Sequence, residues 1–307
     1  MSGYRAGFIG LIGQPNAGKS TLMNFLVNQK VSIVTAKPQT TRRRVLGIWS
    51  ANPGQIVFVD SPGIIQADRG LNGFLAQEAE DVMRQSDALW AIVSVDEQKA
   101  EDAQQVIDLV SSQKKPWIGL ITKTDLKEKE HRVLILSDLI KKKGGKSFAL
   151  SSVKKSEDNT LLREDLLSEG LSLLPESPAP LYDIELFTPE NTRTLASEIV
   201  REKCFEFLHH ELPYSLAVRV LTFDEVGRSI PHLAIEILVS KESHKGMVIG
   251  KEGAVLKKIG SESRKEIEKI MGEKIFLDLK VSCREDWFSN QRLMKELGYV
   301  VAKSKDR

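Results

Sequence analysis

The sequence predicts two unlike domains: a doubly wound α/β sheet of mostly parallel strands, then a smaller α+β module. Three observations predict this. Across the first 175 residues, short apolar runs rich in β-formers alternate with helical stretches, as in strands covered on both faces. Next, "LPESPAPLYD" brings Pro175, Pro178 and Pro180 into one stiff, non-helical stretch. Beyond it the order changes to helix, two strands, two helices around a glycine turn, a strand and a last helix. The boundaries we read are 1–175 for the first domain, 176–188 for a proline-rich linker and 189–307 for the second. A chain of 307 residues is long enough to bury two cores.

In the first domain the strand candidates are "FIGLI", "VLGIW", "QIVFVD", "ALWAIVSV", "WIGLIT" and "SFALS". Helical stretches such as "LNGFLAQEAEDVMRQS" and "AEDAQQVIDLVSSQKK" separate most of them. The link "SANPG" between the second and third candidates is too short for a crossover helix, so that pair reads as an antiparallel hairpin. "KKKGGK" (141–146) reads as the end of a helix, where cations and then glycine are favoured. In the second domain "PENTRTLASEIVREKCFEFLHH" reads as a helix, and "SLAVRVLTF" and "HLAIEILVS" as strands. The helix "AVLKKIGSESRKEIEKIMG", the strand "KIFLDLKVS" and a helix near "REDWFSNQRLMKELG" complete it.

Composition is that of a globular protein, 41% apolar and 28% charged, and a net charge of +2 is too small to announce nucleic-acid binding by itself. Cys204 and Cys283 form neither a disulfide framework nor a zinc set, and read as core residues in a reducing compartment. No apolar run approaches the roughly 20 residues that cross a bilayer. The N-terminal apolar stretch runs straight into a glycine loop, as a first strand does and a signal peptide does not. A cytoplasmic protein is expected. Adjacent His209 and His210 point apart on a helix and make no metal pair, and Trp287 and Phe288 read as packing for the last helix.

"GQPNAGKS" (13–20) fits G-x-x-x-x-G-K-S between an apolar strand and the helical "TLMNFLVNQ", the context a phosphate-binding P-loop requires. Gly13 and Gly18 let the backbone curl so that several N–H groups face one anion, and the helix N-terminus adds its positive end. Lys19 reaches the β- and γ-phosphates and Ser20 ligates Mg²⁺. Asn16, Ala17 and Thr21 complete the phosphate contacts of this loop. "DSPG" (60–63) ends the strand "QIVFVD"; Asp60 can hold Mg²⁺ through water, and the Gly63 N–H can sense the γ-phosphate. Between them, in "KPQTTRRR", a threonine hydroxyl can complete the Mg²⁺ shell, Thr41 being favoured over Thr40; the same stretch also reads as a solvated basic loop. Lys19, Thr41 and Gly63 form the candidate catalytic set. "TKTD" (122–125) ends the strand "WIGLIT". Its Asp125 carboxylate can accept both N1–H and N2–H of guanine, and the stem of Lys123 can cover the base. Thr122 stands where asparagine is common and keeps a hydroxyl to tie this loop to the first. In "ALSS" (149–152), Ser151 and Ser152 can offer a backbone N–H to the guanine oxygen.

These four loops resemble those of the translation-factor-related GTPases. "GQPNAGKS" with "TTR" and "DSPG" points closer, to the Era, tRNA-modifying and ribosome-assembly GTPases. Ras-like enzymes orient the attacking water with a glutamine just after D-x-x-G. Ile64 holds that position here, so slow turnover, quickened by a partner or a cation, is expected. By resemblance Asn16 sits where potassium-activated relatives place a ligand oxygen; bracing of the loop is the alternative.

"GKEG" (250–253) lacks the spacing of a second nucleotide loop but fits G-x-x-G, with which KH domains clamp single-stranded RNA. The order helix–strand–strand–helix–GxxG–helix–strand is that of a type II KH domain. Gly250 and Gly253 allow close approach of a sugar-phosphate backbone, Lys251 adds charge, and Met247, Val248 and Ile249 are expected to floor the groove. The second domain is neutral as a whole, but 241–265 holds seven basic residues, Lys257 and Lys258 among them, against three acidic. Glu252 places a negative charge in the clamp.

"EIVREK", "ELPYS", "GMVIGKEGAVLKKIG" and "LGY" extend the resemblance to the Era family over nearly the whole chain. The resemblance implies GTP hydrolysis, binding of the 3′ end of 16S rRNA, assistance to small-subunit assembly and peripheral association with the inner membrane. Rival readings are a tRNA-modification GTPase, whose companion cofactor domain is not found here, a non-hydrolysing RNA-binding scaffold with structural nucleotide, and an ATPase.

Overall fold

The computed structural model describes residues 3–35, 37–64, 67, 69–97, 99–151, 157–225 and 230–299. The chain divides into two compact units, one of Met1–Ala67 with Leu75–Pro189 and one of Asp68–Phe74 with Glu190–Arg307.

The first unit follows β1 (Arg5–Gly13), α1 (Lys19–Val27), β2 (Val45–Ala51), β3 (Gly54–Asp60), α2 (Gly70–Gln85), β4 (Ala88–Ser94), α3 (Ala100–Ser111), β5 (Trp117–Thr122), α4 (His131–Lys142), β6 (Lys146–Ala149) and α5 (Glu157–Ser172). The six strands form one sheet in the order β2-β3-β1-β4-β5-β6. All neighbours are parallel except β2 and β3, the predicted hairpin. The apolar runs are explained by burial on both faces. Leu22, Met23 and Leu26 of α1 with Leu166 and Leu171 of α5 pack one face against Ile9, Leu11, Phe58 and Trp90. Val106, Ile107 and Val110 of α3 with Ile140 of α4 pack the other against Ile12, Leu89, Ala91 and Val93. Each such side chain contributes about 1.5–3 kcal/mol. The lysine run closes α4 as expected, with Lys141 and Lys142 in its last turn and Gly144 at φ +83°.

The stretch read as a linker is bonded to the first unit. Ser177 N–H donates to the Tyr4 carbonyl, and Leu181 and Tyr182 N–H groups donate to Gln55 Oε1 at 2.8 and 2.9 Å. Ile48 N–H donates to the Phe187 carbonyl, and Thr188 Oγ1 to that of Leu46. β2 is the outermost strand, and its free backbone groups need partners that this segment supplies.

The second unit contains α6 (Thr192–Phe207), α7 (Leu212–Ser215), β7 (Ala217–Asp224), β8 (His232–Val239), α8 (Glu242–Ile249), α9 (Ala254–Met271), β9 (Phe276–Cys283) and α10 (Gln291–Glu296). β8 lies between antiparallel β7 and parallel β9. Leu233, Ile235 and Ile237 pack with Val200 and Cys204 of α6 and Ile259 and Ile267 of α9. The short α7 is absent from the sequence reading. The last helix is shorter than read, because Asn290 caps it through Oδ1 and so fixes its start. Trp287, before that cap, is buried and donates from Nε1 to the Ser215 carbonyl at 2.8 Å. Among the described residues no helix is long and apolar enough to cross a membrane, and no cluster of three or more His, Cys, Asp or Glu side chains is placed to hold a metal ion.

Candidate functional site

β1 stops at Gly13 and α1 starts at Lys19, so the glycine loop lies between a strand C-terminus and a helix N-terminus. Two contacts explain its glycines. A Cβ at Gly13 would meet the Ile92 carbonyl at 2.4 Å, and Gly18 holds φ +92°, a left-handed conformation. Gly63 is equally constrained, since a Cβ there would meet Pro15 N at 2.5 Å. The two loops are also joined by the Ile64 N–H bond to the Gly13 carbonyl. Ile64 itself packs against the core.

Lys19 is 5% exposed and donates to the Gly13 and Gln14 carbonyls at 3.1 and 2.9 Å. Burial pushes its ammonium down to about 8, against the attraction of Asp60 and Glu97. Asp60 is fully buried, and burial pushes its carboxyl up against the pull of Lys19. Its Oδ2 accepts from Ser20 Oγ at 2.5 Å, Ser32 Oγ at 2.9 Å and Thr41 Oγ1 at 3.4 Å. Its Oδ1 is buried without a hydrogen-bond partner among the described residues. Ser20 and Thr41 hydroxyls lie 3.0 Å apart. This cluster of hard oxygens around an unsatisfied carboxylate fits Mg²⁺. Thr40 is engaged elsewhere, donating to the Lys37 carbonyl at 2.8 Å and meeting Thr35 Oγ1 at 2.7 Å. Pro15, Asn16, Gly18 to Thr21, Ile33 to Thr35, Thr40, Thr41 and Gly63 line one cavity. Ser32 and the 33–35 wall were not legible in the sequence, since the loop after α1 carries no pattern that marks it.

β5 lies two strands from β1 and ends at Thr122. The Thr122 hydroxyl donates to the Ala17 carbonyl at 2.7 Å, so threonine does tie the two loops together. Lys123 adopts φ +59° and its ammonium lies 3.7 Å from Asp96. Ser151 Oγ donates to Asp125 Oδ1 at 2.6 Å, which fixes the plane of that carboxylate. Ser152 lies outside the described residues. Asp96 is a second residue absent from the sequence reading; it sits just beyond β4 with no motif around it.

In the second unit Gly250 and Gly253 adopt φ +73° and +77°, with Glu252 between them at φ +53°. A Cβ at Gly250 would meet Val255 Cγ2 at 2.5 Å. Lys251 and Glu252 are exposed. The groove beside this loop is lined by Gly253, Leu256, Lys257, Gly260, Arg264 and, from β9, Leu277 and Leu279. The expected floor residues Met247, Val248 and Ile249 do not line that cavity. Val248 is fully buried in the core, Ile249 packs against it, and Met247 is exposed outside the groove. Three consecutive helical residues point about 100° apart and cannot share one floor. Lys258 is also outside the groove, its ammonium lying 4.4 Å over the Phe207 ring.

Comparison with known proteins agrees with both units. Residues 8–123 match the family described as 50S ribosome-binding GTPase, and residues 211–288 match the KH domain. The GTPase Era of Geobacter metallireducens is 38% identical, over 97% of this chain and 98% of that protein. That of Nitratidesulfovibrio vulgaris is 38% identical over 96% and 97%. Among solved structures, a variant of Aquifex aeolicus Era bound to GDP and AlF4⁻ superposes with a TM-score of 0.88, at 32% identity over 97% of this chain and all 100% of that one. An Era complex with MgGDPNP and nucleotides 1506–1542 of 16S ribosomal RNA gives the same values, a TM-score of 0.88 at 32% identity over 97% and 100%.

Proposed function

The chain belongs to the Era family of GTPases, and from that premise we propose that it is a guanine-nucleotide switch that grips the 3′ end of 16S rRNA during small-subunit assembly. One observation carries the nucleotide half: neighbouring strand ends deliver the glycine loop, the Ser20–Thr41–Asp60 oxygens and the Asp125 carboxylate to the same end of one sheet. The loop N–H groups and Lys19 hold the phosphates, and Thr41 and Gly63 read whether the third is present. Ser20, Thr41 and Asp60 would hold Mg²⁺, which would supply charge neutralisation for phosphoryl transfer. Asp125 accepts from the guanine edge with Ser151 behind it. Ile64 has no polar group to orient water, so intrinsic turnover is slow. A partner or potassium near Asn16 raises it. The RNA half is supported by the GxxG geometry and by the relative solved with a 16S fragment. Peripheral membrane association is carried by family membership alone.

Competition of GTP, ATP and xanthosine triphosphate for the purified protein tests the nucleotide half. Asp125→Asn is expected to weaken GTP about 100-fold, the scale of a charge-assisted two-point hydrogen bond. Unchanged guanine preference in that variant refutes the assignment of the base site. RNA affinity measured with GDP and with a non-hydrolysable GTP analogue tests the switch, and equal affinities refute it.

A further inference from the structure

The loop after β4 lies beside the loop after β5, because Ser94 and Thr122 are register partners at the two strand ends. Its backbone is laced in place. Val95 N–H donates to the Thr122 carbonyl at 3.2 Å, and Asp96 N–H to Ser94 Oγ at 3.0 Å. Glu97 N–H donates to the Ser94 carbonyl at 3.2 Å, while Ser94 N–H donates to Glu97 Oε1 at 3.0 Å. Arg132 of α4 donates to the Val95 and Glu97 carbonyls at 2.9 and 2.8 Å. The Asp96 carboxylate therefore projects from a fixed backbone.

Two ammonium groups share that carboxylate. Lys129 bonds Oδ1, and Lys123 lies 3.7 Å from Oδ2. The Lys123 backbone is held on both sides. Thr122 is tied to Ala17, and Leu126 N–H donates to the Lys123 carbonyl. A free lysine stem loses rotamer entropy when it is immobilised. An anchor at its head removes part of that cost before a ligand arrives.

We propose that Asp96 is a positioning residue for the nucleotide base: it holds the Lys123 head so that the stem lies along the base, and Lys129 competes for the same carboxylate. The proposal rests on the reading of Lys123 and Asp125 as the base site. Asp96 is 41% exposed and Lys129 35%, so the pair adds little to fold stability and acts on orientation. The Lys129 hydrogen bond holds the Asp96 carboxyl below its usual range, so the anchor is charged at neutral pH.

The competition gives the test its signature. Dissociation of a fluorescent GDP is followed for the full chain and for Asp96→Asn and Lys129→Met, in low and high salt, with the melting temperature of each protein. Asp96→Asn is expected to speed release about 2- to 5-fold, the scale of a partly exposed ion pair, and Lys129→Met to slow it by a similar factor. Both effects shrink in 1 M salt, with melting unchanged. Release shifted in the same direction by both variants, or by neither, overturns the proposal, as does a shift that tracks melting temperature. Asp125→Asn run in parallel separates the two levels. If it abolishes guanine preference while Asp96→Asn does nothing, only the positioning role fails; if it too does nothing, the base site itself fails.

Discussion

Two glycine turns lead into helices in this chain, at 13–18 and at 250–253; Lys19 follows the first and Lys251 lies within the second. In the first, Lys19 is 5% exposed and bonded to two loop carbonyls, and the backbone of neighbouring segments closes on Gly13 and Gly63. In the second, Lys251 is exposed, and although a Cβ at Gly250 would meet Val255 Cγ2 at 2.5 Å, one at Gly253 would find only Lys257 Cε at 3.9 Å. A walled loop suits a phosphate chain of fixed length, where each donor meets one oxygen and water is displaced. An open loop beside a long groove suits a polymer that enters at one end and leaves at the other. The glycines look alike in sequence; the enclosure around them sets the difference.

Neutralising the two lysines gives the largest contrast. Lys19→Met is expected to lower phosphate release about 100- to 1,000-fold, as loss of one preorganised donor does. Lys251→Met is expected to lower RNA affinity only about 2- to 5-fold and to reduce the salt slope by about one. A small effect at Lys19 breaks the contrast. A smaller expected effect comes from Gly250→Ala, which forces an L side chain to φ +73° and its Cβ to 2.5 Å from Val255. RNA binding is expected to fall about 10-fold and stability by about 1–3 kcal/mol, with phosphate release unchanged. Urea unfolding and RNA titration check both numbers. The smallest effect belongs to Glu252→Gly. It relieves a left-handed residue at φ +53°, a gain of about 1 kcal/mol at most, and removes a negative charge from the clamp. RNA affinity at low salt is expected to rise about 2- to 3-fold. Weaker RNA binding by this variant means that Glu252 contacts the RNA directly.

How far these features were legible follows from where their causes lie. Strands β1, β3, β4 and β5 were legible because burial on both faces leaves each as an apolar run, and the hairpin because five residues cannot hold a helix. The phosphate loop was legible because its residues are consecutive. The Thr122 bond to Ala17 was legible as chemistry, since any hydroxyl at that strand end can reach the first loop. Ser32 and Asp96 were not. Each depends on loops that only the folded sheet brings side by side, with no local pattern to mark them. That Leu277 and Leu279 line the cavity beside the glycine turn was not legible for the same reason: they come from β9, far along the chain from that turn. The segment 176–188 has the composition of a linker, and its bonds to β2 and Gln55 arise from a strand edge that composition does not reveal.

That edge has a practical consequence. Phe187 and Thr188 occupy the outer side of β2, over Ile48 and Leu46. A fragment cut at residue 175, where the prolines invite it, would leave this strand bare and able to pair with the same strand of another molecule. Cutting after Pro189 keeps the natural cover, and yields the piece better suited to remain monomeric and soluble when the enzyme half is studied alone.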